Sequence, residues 1–146
     1  MDKEPISTEN KRKYFRISLD KPICAEMTIS TFHGQIMRMG YSNVCVRDIG
    51  PGGLAFLSFL AFPIDEGIVY TFKISMFNEE VRLRGTIVRT KELINNVHEY
   101  GIKFKFLKND EPKYVQLFNK LSFAINKTAE NSGCKMCKKE VFPCKV

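Results

Sequence analysis

The chain has no apolar run long enough to cross a membrane. Its longest, residues 53–64, is interrupted by Ser58 and Pro63 and falls well short of the roughly 20 residues a spanning helix needs. Nor does it begin like a secretion signal, because Met1-Asp2-Lys3-Glu4-Pro5 is polar and mixed in charge. Both absences predict a cytoplasmic protein. Cysteines are few and odd in number, five in all, and Cys24 and Cys45 fall in strand-like segments where a thiol packs as a small hydrophobe. A secreted disulfide framework is therefore disfavoured. There are two histidines, His33 and His98, and neither belongs to a serine or cysteine arrangement suggesting a nucleophile and base. With no acid/base pair and no phosphate loop of the G-x-x-x-x-G-K type, no enzyme reading survives. No internal repeat is present.

What the chain does have is enough apolar material for a single core, 44% of 146 residues. The formal net charge of +7 favours an anionic partner, without separating nucleic acid from a nucleotide or from simple solubility.

Residues 1–10 are polar, charged and without periodicity, and are expected to form a mobile arm. From Pro22 to Ser30, Ile23, Ala25, Met27 and Ile29 alternate with Cys24, Glu26, Thr28 and Ser30, the period of a half-buried strand. Val44 to Ile49 and Leu54 to Leu60 read as two more. Tyr70, Phe72, Ile74 and Met76 alternate with smaller or polar residues until Asn78 and Glu79 break the run. Val81, Leu83 and Ile87 then alternate with Arg82, Arg84 and Thr86, so residues 69–90 read as a hairpin. Ile102, Phe104 and Phe106 complete about six strands. From Pro112 the period changes: Tyr114, Leu117, Phe118, Leu121 and Ile125 recur at three and four residues, which predicts an amphipathic helix. The pattern predicts an all-β fold, a six-stranded antiparallel barrel with one C-terminal helix packed against it. The expected organisation is an arm over 1–10, a barrel domain with its helix over 11–126, and a Cys/Lys-rich tail over 127–146.

Two short motifs carry the chemistry. In Lys11-Arg12-Lys13-Tyr14-Phe15-Arg16 two arginines four residues apart offer paired planar forks, and in Asp48-Ile49-Gly50-Pro51-Gly52-Gly53 an aspartate stands beside exposed glycine backbone. Arginine forks match phosphate oxygens and the O6/N7 edge of guanine, whereas a carboxylate accepts from the ring N–H and amino group on guanine's other edge. Together they suit a ligand carrying both phosphate and guanine.

These residues resemble the PilZ domains, bacterial receptors for cyclic di-GMP. The family's RxxxR motif is matched by Arg12 and Arg16, and its (D/N)xSxxG motif at Asp48 and Gly53. Gly85-Thr86-Ile87-Val88-Arg89 and Tyr100-Gly101-Ile102-Lys103-Phe104 are similar to the family's downstream strands, so the likeness covers about residues 11–125. The resemblance implies a PilZ-type barrel and a non-catalytic receptor that needs no cofactor. In it, Arg12 and Arg16 would grip the dianion, Asp48 would accept from guanine, and Lys11 could add a phosphate contact. Gly52 and Gly53 would admit the ligand by tolerating left-handed torsions and carrying no side chain. A basic segment from Lys11 to Leu19, loose when free, would be drawn onto the barrel and change the surface shown to a protein partner controlling motility, adhesion or exopolysaccharide. The protomer would be a monomer or a dimer. One departure stands out: Gly50 occupies the usual serine position, and a lost hydrogen bond to a neutral partner weakens binding by about 0.5–1.5 kcal/mol.

The alternatives are a PilZ-like protein–protein adaptor that does not bind cyclic di-GMP, which Gly50 favours, and a basic barrel binding single-stranded nucleic acid. The aromatics fall mostly on the buried faces of their strands, which opposes the latter. Arg82, Arg84 and Arg89 read as an ordinary solvated face. Cys134, Cys137 and Cys144 offer three candidate metal ligands with half the spacing of a zinc site; a closed site needs a fourth, so an unligated tail is the simpler expectation.

Overall fold

A computed structural model describes residues 16–106 and 110–125. Seven strands run in chain order as β1 Ile17–Phe32, β2 Gln35–Ile36, β3 Ser42–Ile49, β4 Gly53–Ser58, β5 Ile68–Met76, β6 Glu79–Glu92 and β7 His98–Phe104, followed by helix α1 Glu111–Ile125. All neighbours are antiparallel, in the order β2-β1-β3-β4-β7-β6-β5, and a further pairing of β1 with β5 closes the sheet. The result is the expected closed six-stranded antiparallel barrel with one C-terminal helix, with two-residue β2 as a short annex to β1.

The long first strand makes closure possible. Its first part pairs with β3, from Ile17↔Ile49 to Met27↔Ser42, and its second part pairs with β5, from Ala25↔Ile74 to Phe32↔Ile68. Ile17 and Leu19 are buried, and Ile17 and Ser18 are already in register with β3. This corrects the expectation of a loose segment reaching Leu19: apolar residues at 17 and 19 make the start of β1 part of the core.

Inward side chains alternate as the sequence indicates, most regularly in β5, where Ile68, Tyr70, Phe72, Ile74 and Met76 are all buried. Phe56 lies 5.1 Å from the Tyr100 ring and 5.5 Å from Phe72, which puts a linked aromatic group inside the barrel. β4 differs, because all six of its residues are buried, and so it reads as an unbroken apolar run. It ends at Ser58, two residues short of the expected end, where the Ser58 hydroxyl accepts the Leu60 N–H at 3.0 Å. The β5–β6 hairpin turns on Phe77 and Asn78, both with positive φ, the torsions of a two-residue type I′ turn.

Helix α1 begins at Glu111 with Pro112 in its first turn, where a missing N–H costs nothing. Phe118 and Leu121 are fully buried, and Phe118 stacks on Phe104 with ring centres 6.4 Å apart. Burying two such side chains is worth about 1.5–3 kcal/mol each, enough to seat the helix on the barrel. The expected arm over 1–10, the tail over 127–146, and Lys11, Arg12, Cys134, Cys137 and Cys144 lie outside the described residues. No described helix is long and apolar enough to cross a membrane.

Candidate functional site

Arg16 stands immediately before β1 and Asp48 near the end of β3, where Ser18 and Asp48 are cross-strand partners. A bulge aims the aspartate. Val46 and Ile49 both belong to the core although three residues apart, which strict alternation forbids, and the register slips by one between Val46 and Asp48 against β4. The extra residue turns Asp48 away from the core, so that Arg16 Nη1 donates to Asp48 Oδ1 at 3.0 Å. The two side chains are 20% and 26% exposed. Among the described residues this is the one side-chain hydrogen bond of the pair, and the guanidinium and carboxylate each have further donor or acceptor positions.

The glycine-rich turn beside them is held by two backbone hydrogen bonds, Gly50 N–H to the Gly53 carbonyl at 2.9 Å and Phe104 N–H to the Gly52 carbonyl at 2.9 Å. Gly53 pairs with Lys103 in β7. A Cβ on Gly53 would collide with the Ile102 carbonyl oxygen and would lie 3.4 Å from Arg16 Nη2. Only glycine lets β4 approach β7 so closely beside the arginine. The reason is space and not torsion: among the described glycines only Gly34 has a positive φ, so the expectation of left-handed torsions at Gly52 and Gly53 is corrected. Gly50 and Pro51 are both buried.

The register extends the arrangement sideways. Ser18, Asp48, Ala55, Gly101 and Arg89 are successive partners across β1, β3, β4, β7 and β6. Three strand steps of about 4.8 Å put Arg89 roughly 14 Å from Asp48 along this row. Arg89 lies over Gly101, where a Cβ would come within 2.5 Å of its Nε. Read from sequence, Arg89 was one of three arginines on a solvated face; only the pairing register, with its slip between Ile87 and Arg89, puts it on the row that begins at Asp48. The same outer face carries Arg47, whose Nη1 donates to Glu99 Oε2 at 3.4 Å.

Of the residues singled out from sequence, Arg16, Asp48, Gly50, Gly52 and Gly53 come together at one end of the barrel. His98 opens β7 with its ring 6.0 Å from that of Tyr100. Among the described residues no group of three histidine, cysteine, aspartate or glutamate side chains could hold a metal ion. The arrangement can offer cationic donors, one carboxylate and unobstructed backbone to an anionic ligand with an amide-like edge.

A closed all-antiparallel barrel with one C-terminal helix and an arginine–aspartate pair beside a glycine turn places the chain among small all-β barrel domains. The family model for the PilZ domain matches residues 10–122, and the chain belongs to that family. Among solved structures it is similar to the PilZ domain with c-di-GMP of YcgR from Escherichia coli, at 18% identity and a TM-score of 0.54, covering 83% of this chain and 95% of that one. It is also similar to the MrkH–c-di-GMP complex of K. pneumonia, at 13% identity and a TM-score of 0.55, and to the inhibitor of motility MotI/DgrA of Bacillus subtilis, at 13% and 0.53. In each of these two comparisons 80% of this chain is covered and 53% of the other, so the chain spans about half their length. No curated protein matches the sequence.

Proposed function

We propose that the protein is a non-catalytic cyclic di-GMP receptor whose ligand binds at Arg16, Asp48 and the Gly50–Gly53 turn, with Arg12 and Lys11 as further cationic contacts. The observation that carries this reading is the 3.0 Å Arg16–Asp48 pair beside a turn that only Gly53 leaves open, in a PilZ chain. Two structures similar to it, of YcgR and MrkH, were solved with c-di-GMP. Arg16 retains donors for phosphate or for guanine O6/N7, and Asp48 retains an oxygen for the guanine N–H groups.

The Arg16–Asp48 bond holds the guanidinium in place before the ligand arrives, which lowers the ordering cost of binding. Because β1 is already paired from Ile17, the segment a ligand would rearrange ends at Arg16. The rearranged surface would recruit or release a protein partner, in motility, adhesion or exopolysaccharide control, from a barrel domain over 11–126 flanked by the arm and the Cys/Lys-rich tail. The cytoplasm is the compartment that suits such a receptor.

The test is calorimetric titration with cyclic di-GMP, with GTP and cyclic GMP as controls and Arg16→Ala and Asp48→Ala as matched variants. Saturable binding that Arg16→Ala loses is the expected result. No heat and no ligand-dependent change in melting temperature would refute the receptor and favour the adaptor reading, for which Gly50 in the serine position is the specific support.

A further inference from the structure

On the far side of the β7 terminus from the glycine turn, a cleft of about 280 Å³ opens between the first half of β6 and helix α1. Its floor is apolar, made by Leu83 and Phe104 from the core, and one wall is the Phe106–Tyr114 ring pair with centres 5.3 Å apart. Its rim is basic. Arg82 and Arg84 alternate outward on β6, and Lys105 lies opposite Arg84, donating its backbone N–H to the Arg84 carbonyl at 2.8 Å. Arg82 is matched by Glu80, whose Oε2 accepts its Nε–H at 3.0 Å, and Asp110 stands at the helix end of the cleft. Arg84 and Lys105 have no acidic side chain paired with them among the described residues.

Like charges facing each other across a strand pair destabilise the sheet, so this pair is a local cost that an anion seated between them would reverse. The apolar floor makes a free inorganic anion a poor fit and an acidic polypeptide segment with an aromatic or large aliphatic residue a good one: the apolar side chain enters the cleft while flanking carboxylates meet the rim. The Tyr114 hydroxyl, pushed up in pKa first by burial and then by Asp110, donates to the Arg82 carbonyl at 3.4 Å and ties this wall to β6.

We infer that this cleft docks an acidic, aromatic-containing segment of a partner protein. The inference deepens the receptor reading and rests on it for the signal that would control docking. The physical link is short, because successive residues at the end of β7 tie the two places together: Phe104 N–H bonds to Gly52 in the ligand turn, and Lys105 N–H, just past the strand, bonds to Arg84 at the cleft.

The test uses the full chain and a fluorescein-labelled peptide with one central phenylalanine flanked by aspartates and glutamates, read by anisotropy. The control peptide has amides in place of the carboxylates. The acidic peptide should bind at least about tenfold more tightly than the amide control, and Arg84→Glu should weaken it by about tenfold or more, as charge reversal at a rim contact does. Arg84→Glu should leave the far-ultraviolet spectrum and the cyclic di-GMP titration unchanged. Equal binding of the two peptides, or an Arg84→Glu variant that binds as the wild type does, overturns the inference; so does a single-stranded oligonucleotide that displaces the peptide and binds more tightly. Peptide binding is measured without the dinucleotide, so failure of the receptor reading would show separately, in the calorimeter.

Discussion

Gly53→Ala is the most demanding perturbation of this structure. A Cβ there would overlap the Ile102 carbonyl oxygen and come within 3.1 Å of the carbonyl carbon. Restoring the roughly 3.3 Å of an ordinary carbon–oxygen contact requires β4 and β7 to part by about 1 Å. Backbone cannot swing aside as a side chain can, and Ile102 is fully buried. Overpacking of this kind costs about 1–3 kcal/mol, and loss of one of the two backbone bonds that hold the turn adds about 0.5–1.5 kcal/mol, for roughly 2–4 kcal/mol together. In urea denaturation, with a slope near 2 kcal/mol per molar, the midpoint should fall by about 1–2 M with the slope unchanged. The same displacement moves the turn and the space beside Arg16, so cyclic di-GMP binding should weaken even where the variant is fully folded. Gly101→Ala is the internal control. There the three atoms nearest the added carbon all belong to the Arg89 side chain, with Nε at 2.5 Å and Cγ at 2.6 Å, and that exposed side chain can rotate away. Its cost should stay below about 1 kcal/mol. A Gly53→Ala variant within about 0.5 kcal/mol of wild type, or a Gly101→Ala variant equally damaged, would refute the reasoning.

Two tyrosines of the core should respond in opposite ways. The Tyr100 hydroxyl donates to the Leu60 carbonyl at 2.7 Å and accepts the Phe62 N–H at 2.9 Å, so Tyr100→Phe should cost about 1–3 kcal/mol in chemical denaturation. The Tyr70 hydroxyl is buried with no hydrogen-bond partner among the described residues, and Tyr70→Phe should be neutral or stabilising by the same assay. Burial, then Tyr100 and Asp65, push the Tyr70 pKa from 10.0 to about 12. The folded state therefore keeps a proton that the unfolded chain loses, stability should fall as the pH rises from about 10 to 12, and Tyr70→Phe should flatten that fall. A double-mutant cycle on Arg16 and Asp48 should give a coupling of about 1 kcal/mol that shrinks with added salt, as befits a partly exposed pair; no coupling would remove the preorganisation argument. Gly50 has no left-handed torsion, so serine can adopt its backbone, and Gly50→Ser should tighten cyclic di-GMP by up to about tenfold in titration, whereas unchanged or weaker binding would count against the serine role.

The barrel was legible because its longer strands are mostly apolar on a single face, as β5 is throughout, and period-two alternation reports that directly. β4 is apolar on both faces and was found instead as an uninterrupted run, whose end the sequence overran by the two residues that follow Ser58. The start of β1 was missed because Ile17 and Leu19 sit in a basic, aromatic context, where two apolar residues do not make a visible period. Arg16 and Asp48 were legible as chemical types, and the bulge that turns Asp48 outward is a consequence of register. Gly53 was assigned to the site for torsional freedom and for its missing side chain; the structure needs only the second, and needs it against β7, a distinction that depends on where Ile102 lies some fifty residues away in the chain.

Register also explains why Arg84, Lys105 and Arg89 could not be sorted from sequence. All three are cations on exposed strand faces, and nothing in their local sequence tells them apart. Their differences lie in their neighbours: Gly101 beneath Arg89, another cation facing Arg84 and Lys105, and, for Arg82, Lys73 across the strand pair but Glu80 on its own strand to match it. A solvated charge costs the fold little, and a matched one gains it little, so neither leaves a mark. A like-charged pair facing across a strand is different, because it persists against a local penalty, and that penalty sets the sign of the partner that would relieve it. On this argument the Arg84–Lys105 cleft is where the proposed acidic partner would dock, apart from the proposed ligand site at Arg16 and Asp48, with Phe104 bonded to the turn of one and lining the other.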